Sequence, residues 1–208
     1  MGGLLAVSRV IDRITEAIGK FVGWLIFLAI WVSAVNAIVR KTLDMSSNAW
    51  LELQWYLYGA AFMGAAAYTL QQNEHIRIDI VYGALKRRTQ HWIDLIGHLL
   101  FLMPFVILMS VFLVPWLGKS MCLPLGAMIP PNCQPEISTN AGGLILWPAK
   151  SFLLIGFLLL VFQGFSEIIK KVAVMRGLIE DPTPFVSSHD AAEMEGAAYL
   201  DDLEETDK

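Results

Sequence analysis

The chain has 208 residues, of which 56% are hydrophobic and 16% charged, whereas an ordinary soluble domain has about 25% charged residues. Its net charge is −4 and its mean hydropathy is +0.56, so the basic surplus that nucleic-acid binding requires is missing. The apolar residues also form uninterrupted blocks rather than alternating core and surface positions. These features exclude nucleic acid as a partner, argue against a free globular enzyme and favour a chain embedded in lipid.

The first segment, residues 1–20, has the pattern of an amphipathic helix. Its apolar stripe consists of Leu4, Val7, Ile11, Ile14 and Ile18. Charged residues occupy the opposite side, which predicts a helix lying at the cytoplasmic membrane interface. A signal peptide would have a shorter apolar core and an early cleavage site with small residues, so we expect the next span to remain attached.

Four apolar blocks follow, and each is long enough for an α-helix to cross roughly 30 Å of hydrocarbon. They cover residues of about 21–39, 49–70, 92–114 and 151–169. Backbone N–H and C=O groups must be satisfied within a segment that has no water around it, so the blocks are predicted to be helices. The predicted fold class is all-α, with a four-helix membrane domain over residues 21–171.

Two kinds of residue predict how these helices bend and pack. Pro104 should kink the third span, and Pro148 suits the first turn of the fourth. Small residues four positions apart, such as Ala60 and Gly64, allow a second helix to approach the second span closely.

Basic residues predict the orientation. With four spans, ten Lys and Arg residues fall on one side of the membrane and four on the other, with Lys208 left out. The positive-inside rule therefore places both termini in the cytoplasm. The final segment, residues 172–208, is expected to be a disordered cytoplasmic tail, because residues 180–208 hold ten acids and one base and few large apolar groups.

Both cysteines, Cys122 and Cys133, fall in a Pro/Gly-rich loop between the third and fourth spans, on the predicted non-cytoplasmic side. Two thiols in an oxidising compartment can form a disulfide, and closing so short a loop would stabilise it by roughly 3 kcal/mol. Two buried free cysteines are the alternative.

Charged and polar side chains in or near the spans are candidate functional residues, because intramembrane charge is costly. His91, Asp94 and His98 share one face of the third helix. This pattern suits either a proton relay or a structural polar contact with a neighbouring helix, and the second is favoured because only His98 lies clearly inside the span.

Two further polar pairs lie near helix ends. Glu52 and Gln54 are close to the outer end of the second span, and Gln163 and Glu167 are close to the inner end of the fourth. We interpret them as helix-contact or subunit-interface residues rather than transport ligands.

Several chemistries have no motif in the chain. It has no paired intramembrane histidines for haem, no Walker loop, no GxSxG or HExxH sequence and no metal-spaced cysteine set. It also has no evident inverted repeat of the kind that builds a midplane substrate site. The sequence therefore predicts a non-enzymatic chain without its own cofactor or substrate site.

Three stretches carry a family pattern. They read NEHIRIDIVYGALKRR from Asn73, SxNxGGLxxWPxK from Ser138, and GFLLLVFQGFSEIIK from Gly156. Together with Glu52, they resemble the small four-helix, DctQ-type membrane subunit of tripartite ATP-independent periplasmic (TRAP) transporters. The resemblance covers residues of about 18–171.

The resemblance implies a scaffold role beside other proteins. In this family a large multi-helix subunit holds the substrate and sodium sites, and a soluble periplasmic protein captures the solute, which usually bears a carboxylate. The small subunit is a fixed scaffold in the inner membrane of a bacterial or archaeal cell. The family pattern falls on packing and interface positions, namely Glu52, His75, Ile76, Asp79, Asp94, Gly142, Gly143, Trp147, Pro148, Gln163, Gly164 and Glu167.

Two other functions are weighed against this one. A self-contained homo-oligomeric channel or proton-conducting module would use His91, Asp94 and His98. A redox-enzyme anchor would bind haem. The cysteine pair and the acidic tail do not belong to the family pattern.

Overall fold

The computed structural model describes residues 2–44, 47–73, 82–83, 85–126 and 128–181. This part of the chain is all-α, as predicted, apart from one isolated β-bridge between Ile137 and Ile145. Its four long helices are α1 (Gly2–Leu43), α2 (Asn48–Gln71), α3 (Arg87–Met121) and α4 (Trp147–Met175). The predicted tail from residue 182 onward lies outside the described residues.

Three of these helices, α1, α3 and α4, are long and apolar enough to cross a membrane, with mean hydropathies of 2.2, 2.4 and 2.2 in their most apolar windows. The remaining long helix, α2, has 24 residues and is therefore about 36 Å long. It carries the buried polar side chains Glu52 and Gln54, which lower its hydropathy. A membrane span over α2 stays a prediction.

The helix α1 has 42 residues and a length of about 63 Å. It joins the predicted interfacial segment and the first predicted span without a break. Leu4, Val7 and Ile14 of the apolar stripe are exposed, while Asp12, expected on the solvent side, contacts α4 instead. The interfacial position of residues 1–20 stays a prediction.

The helix α4 occupies the centre of the packing, because it contacts α1, α2 and α3. Glycines permit the closest approaches. A Cβ added at Gly156 of α4 would lie 2.6 Å from the Met63 Cβ of α2, and one at Gly64 of α2 would lie 3.0 Å from the Val22 Cγ2 of α1. The close helix contact predicted at Gly64 thus occurs within the chain.

Prolines shape α3 and α4. A π-helical turn, Gly97–Leu102, interrupts α3, and the Met103 N–H bonds to the His98 carbonyl. Pro104 follows at once and supplies no N–H, so the widened turn directly precedes the position where the kink is predicted. Pro148 lies in the first turn of α4, as expected.

The substitution Gly156→Ala tests the α2–α4 contact. We expect it to lower the free energy of unfolding by about 1–3 kcal/mol, because the new methyl group meets the backbone as well as the side chain of Met63. Thermal unfolding of the detergent-purified chain measures the effect. Gly59→Ala, at a position with no neighbouring atom within 4 Å, is the control, and equal stability of the two variants would contradict this packing.

Candidate functional site

A buried carboxylate joins α2 to the loop that precedes α4. Glu52 is only 4% exposed. Its Oε1 atom accepts hydrogen bonds from the Ser138 hydroxyl and from Asn140 Nδ2 at 2.8 Å, and its Oε2 accepts the Leu144 N–H at 2.6 Å. We call these four residues the Glu52 cluster; its geometry is that of a carboxylate-binding loop.

The two glycines of the SxNxGG motif make this loop possible. Gly142 has a φ of +71°, a left-handed conformation that glycine adopts without steric cost. A Cβ at Gly143 would lie 2.5 Å from the Ser138 Cβ and 2.9 Å from Glu52 Oε1. The motif therefore encodes a backbone that closes around the Glu52 carboxylate.

Two more hydrogen bonds hold α2 against the same loop. Asn48 Nδ2 donates to the Ala141 carbonyl at 3.0 Å, and the Tyr56 hydroxyl donates to the Ile145 carbonyl at 3.2 Å. With Glu52, these residues form a polar face along the first turns of α2.

An ion pair fixes the other side of the loop. Lys150 pairs with the Glu136 carboxylate, and its ammonium lies 4.2 Å from the centre of the Trp116 ring. The hydrogen bond from Lys150 holds the pKa of the Glu136 carboxyl below its ordinary value of 4.5. Trp147, predicted to be a packing or subunit-interface residue, begins α4 and is 37% exposed.

The structure joins Cys122 and Cys133 in a disulfide, with their Cα atoms 5.7 Å apart. Cys122 ends α3 in a left-handed conformation with a φ of +56°. The bond therefore closes the first part of the loop directly at the end of α3. The sequence had left free cysteines as the alternative.

A second polar cluster joins α1 to α4 at the opposite end of the bundle. Gln163 is completely buried. It accepts a hydrogen bond from the Thr15 hydroxyl at 2.9 Å and donates to Asp12 Oδ1 at 3.0 Å and Glu167 Oε1 at 2.9 Å. The Gln163 amide thus bonds both to α1 and to Glu167 of its own helix, and its amide nitrogen donates to two carboxylates.

The same cluster continues along α4. Ser166 contacts the Ser8 hydroxyl at 2.7 Å and donates to Asp12 at 2.8 Å. Lys170 lies 3.3 Å from Asp12 and 2.6 Å from Glu167. These residues, together with Gln163 and Thr15, are the Gln163 cluster; its one ammonium group balances part of the charge of two carboxylates.

A third polar contact joins α3 to α4. Asp94 forms a buried ion pair with Lys171 at 3.2 Å and accepts the Tyr82 hydroxyl at 2.9 Å. His98 Nδ1 lies 2.6 Å from the Asp94 backbone carbonyl. The Asp94 carboxylate is thus engaged in a helix contact, which is the arrangement expected of a structural polar contact.

His91, the remaining member of the predicted face, lies beside the start of the tail. Its Nδ1 is 3.9 Å from Asp181, which is also 3.8 Å from Lys171. Three other predicted positions, His75, Ile76 and Asp79, lie outside the described residues.

Sequence reasoning missed the α1 side of the Gln163 cluster. Ser8, Asp12 and Thr15 are spaced as one helical face, and this spacing was the available signal. It was overlooked because Asp12 also fits the charged side of an amphipathic helix. In the part of the chain that the structure describes, no group of three His, Cys, Asp or Glu residues could hold a metal ion.

Long apolar helices, joined through buried polar contacts, define a helical membrane protein. The family model described as "Tripartite ATP-independent periplasmic transporters, DctQ component" matches residues 29–174, more than half of the chain. The chain belongs to this family and is a non-enzymatic component of a TRAP transporter. The comparisons with curated proteins and with solved structures give no match.

The substitution Glu52→Gln tests the Glu52 cluster. An amide in place of the carboxylate presents N–H groups to a donor and leaves a buried group unsatisfied. We expect the unfolding temperature to fall at least twice as far as in Asn48→Ala, which loses one hydrogen bond to the same loop. Equal falls in the two variants would show that the carboxylate does not organise the loop.

Acid should weaken the same end of the bundle. Because the pKa of Glu136 is lowered in the folded state, its ion pair stabilises the fold above about pH 4.5, the ordinary value, and this contribution is lost as the pH falls through the lowered pKa. Unfolding temperatures measured from pH 7 to pH 3 should decline less steeply in Glu136→Gln than in the wild type. Glu180→Gln removes an exposed carboxylate elsewhere and should leave the slope unchanged; a Glu136→Gln slope equal to the wild-type slope would contradict the prediction.

Proposed function

We propose that this chain is the scaffold subunit of a TRAP importer that takes up a small carboxylate-bearing solute. A large membrane subunit holds the substrate and sodium sites, and a soluble periplasmic protein delivers the solute. The sodium gradient drives uptake. The small subunit stays fixed in the cytoplasmic membrane, with both termini in the cytoplasm, while the large subunit moves.

The observation that carries this proposal is that the buried carboxylates are bonded within the chain. The carboxylates of Glu52, Asp94 and Glu167 are all bound by other groups of the same chain. Breaking such buried contacts is costly, so these groups favour one fixed helix arrangement. A rigid bundle suits a small subunit that stays fixed while the large subunit moves.

The distribution of basic residues supports the proposed orientation. Ten Lys and Arg residues lie toward the proposed cytoplasmic side and four toward the other. The disulfide between Cys122 and Cys133 then lies on the periplasmic side, where such bonds persist. Exposed apolar side chains along α1 and α3 offer surface to lipid and to the large subunit.

Asp94→Asn distinguishes the scaffold from a proton-conducting module. The scaffold proposal predicts that the amide weakens the contact with Lys171, so that several-fold less of the chain co-purifies with its co-expressed large subunit. Glu16→Gln, which loses an ion pair with Lys20 on the surface of α1, is the control and should co-purify as the wild type does.

The same variants are then reconstituted without the large subunit, and proton flux into liposomes is followed with a pH-sensitive dye. The scaffold proposal predicts no flux above that of empty liposomes. Flux by the wild-type chain alone that disappears in Asp94→Asn would overturn the proposal and favour the channel.

A further inference from the structure

A polar cleft lies where the end of α1 meets the start of α2. Its volume is about 440 Å³. Four α1 residues on one helical face, Ser33, Asn36, Ala37 and Arg40, contribute to it, and Lys41 follows at its mouth. The α2 side is formed by Leu51 and Gln54.

The polar side chains of this cleft are exceptional within the apolar part of α1. Ser33 and Asn36 interrupt an otherwise apolar stretch from Phe21 to Val39. Within the described ranges, neither side chain hydrogen-bonds to another protein group. Such groups are costly when they face hydrocarbon, so a polar ligand in the cleft would stabilise them.

The positive charge at the opening of the cleft favours an anionic ligand. Arg40 and Lys41 are exposed, and in the described part of the chain neither forms an ion pair with a carboxylate. Extension of long basic side chains to the membrane surface would explain why Arg40 and Lys41 are exposed. It does not account for the alignment of Ser33 and Asn36 with Arg40 on one face, which favours an anion with several oxygen atoms.

An apolar groove continues along the same helix pair. It has a volume of about 410 Å³ and is lined by Val22, Ile26, Tyr58, Ala61, Phe62 and Ala65. On α1, Val22, Ile26, Ser33 and Arg40 share one face at helical spacing. The cleft and the groove are therefore two parts of one seam, polar at the end of α1 and apolar toward its middle.

The seam is longer than one leaflet. From Arg40 to Val22 the helix rises roughly 27 Å, whereas one leaflet contributes about 15 Å of hydrocarbon. An acyl chain whose headgroup stays beside Arg40 would thus reach the near end of the groove at Ile26, roughly 21 Å along the helix. A free anion would use only the outer part of the seam.

We propose that the α1–α2 seam binds one anionic phospholipid from the leaflet at the end of α1. The phosphate is held by Arg40, Lys41, Asn36 and Ser33, and one acyl chain lies against Ile26 and the small residues of α2. Each basic side chain near a membrane surface attracts an anionic headgroup electrostatically. The proposal depends on α1 crossing the membrane and not on the scaffold function.

Native mass spectrometry of the full-length chain, alone and in complex with its large subunit, tests the proposal with phosphatidylglycerol as the probe. The wild type should retain one phosphatidylglycerol in preference to phosphatidylcholine. The substitutions Arg40→Gln and Lys41→Gln should each lower retention roughly fivefold. Lys119→Gln, an exposed cation outside the seam, is the matched control and should retain lipid normally.

A second pair of variants tests the apolar part without a change of charge. Ala65→Leu narrows the groove and should lower retention, whereas Ala66→Leu, a neighbour outside its lining, should not. Equal retention by the seam variants and their controls would overturn the proposal. So would displacement of the bound species by inorganic phosphate, which indicates an anion site only.

Cross-linking settles whether protein fills the seam instead. A Ser33→Cys variant carrying a photoreactive label should attach to phosphatidylglycerol in the assembled complex. Attachment to the large subunit, with no lipid retained, would show that a helix of that subunit occupies the seam and would overturn the proposal.

Discussion

Polar side chains that are withdrawn from water inside an apolar bundle need partners on another helix, and α4 with its preceding loop supplies most of them. Glu52 of α2 is bound by the loop, Asp12 of α1 by Ser166, and Asp94 of α3 by Lys171. The helices α1, α2 and α3 are thus each bonded to α4 or to the loop that precedes it. The remaining packing, including the glycine contact at Gly156, depends on the register that these contacts fix.

Local pattern predicted the helices well, because length and apolarity are local properties. The second predicted span, residues 49–70, nearly coincides with α2 (Asn48–Gln71). The fourth is longer than predicted, since α4 begins at Trp147, beside Pro148, and runs on to Met175. Helix extent depends on where the chain turns, and the turn at Gly177, with a φ of +67°, falls beyond the apolar block.

The polar contacts were harder to predict, because their partners are distant in sequence. Glu52 and Gln163 were recognised as contact residues, but Glu52 binds Asn140 and Gln163 binds Thr15 across separations of 88 and 148 residues. Proximity along one helix does not fix the partner either, because Lys170 binds Glu167 whereas the next residue, Lys171, pairs with Asp94 of α3.

The hydropathy of α2 follows from its place in the bundle. It packs between α1 and α4, so part of its surface is covered by protein and tolerates polar residues such as Glu52 and Gln54. Hydropathy alone therefore understates how deeply such a helix can sit in a membrane. The contacts of Glu52 hold one end of α2 against the loop, and Gln71 Nε2 donates to the Asp12 carbonyl at the other end. A helix fixed at both ends can carry the open seam with α1 along its middle without losing its register, which leaves that seam free for a ligand.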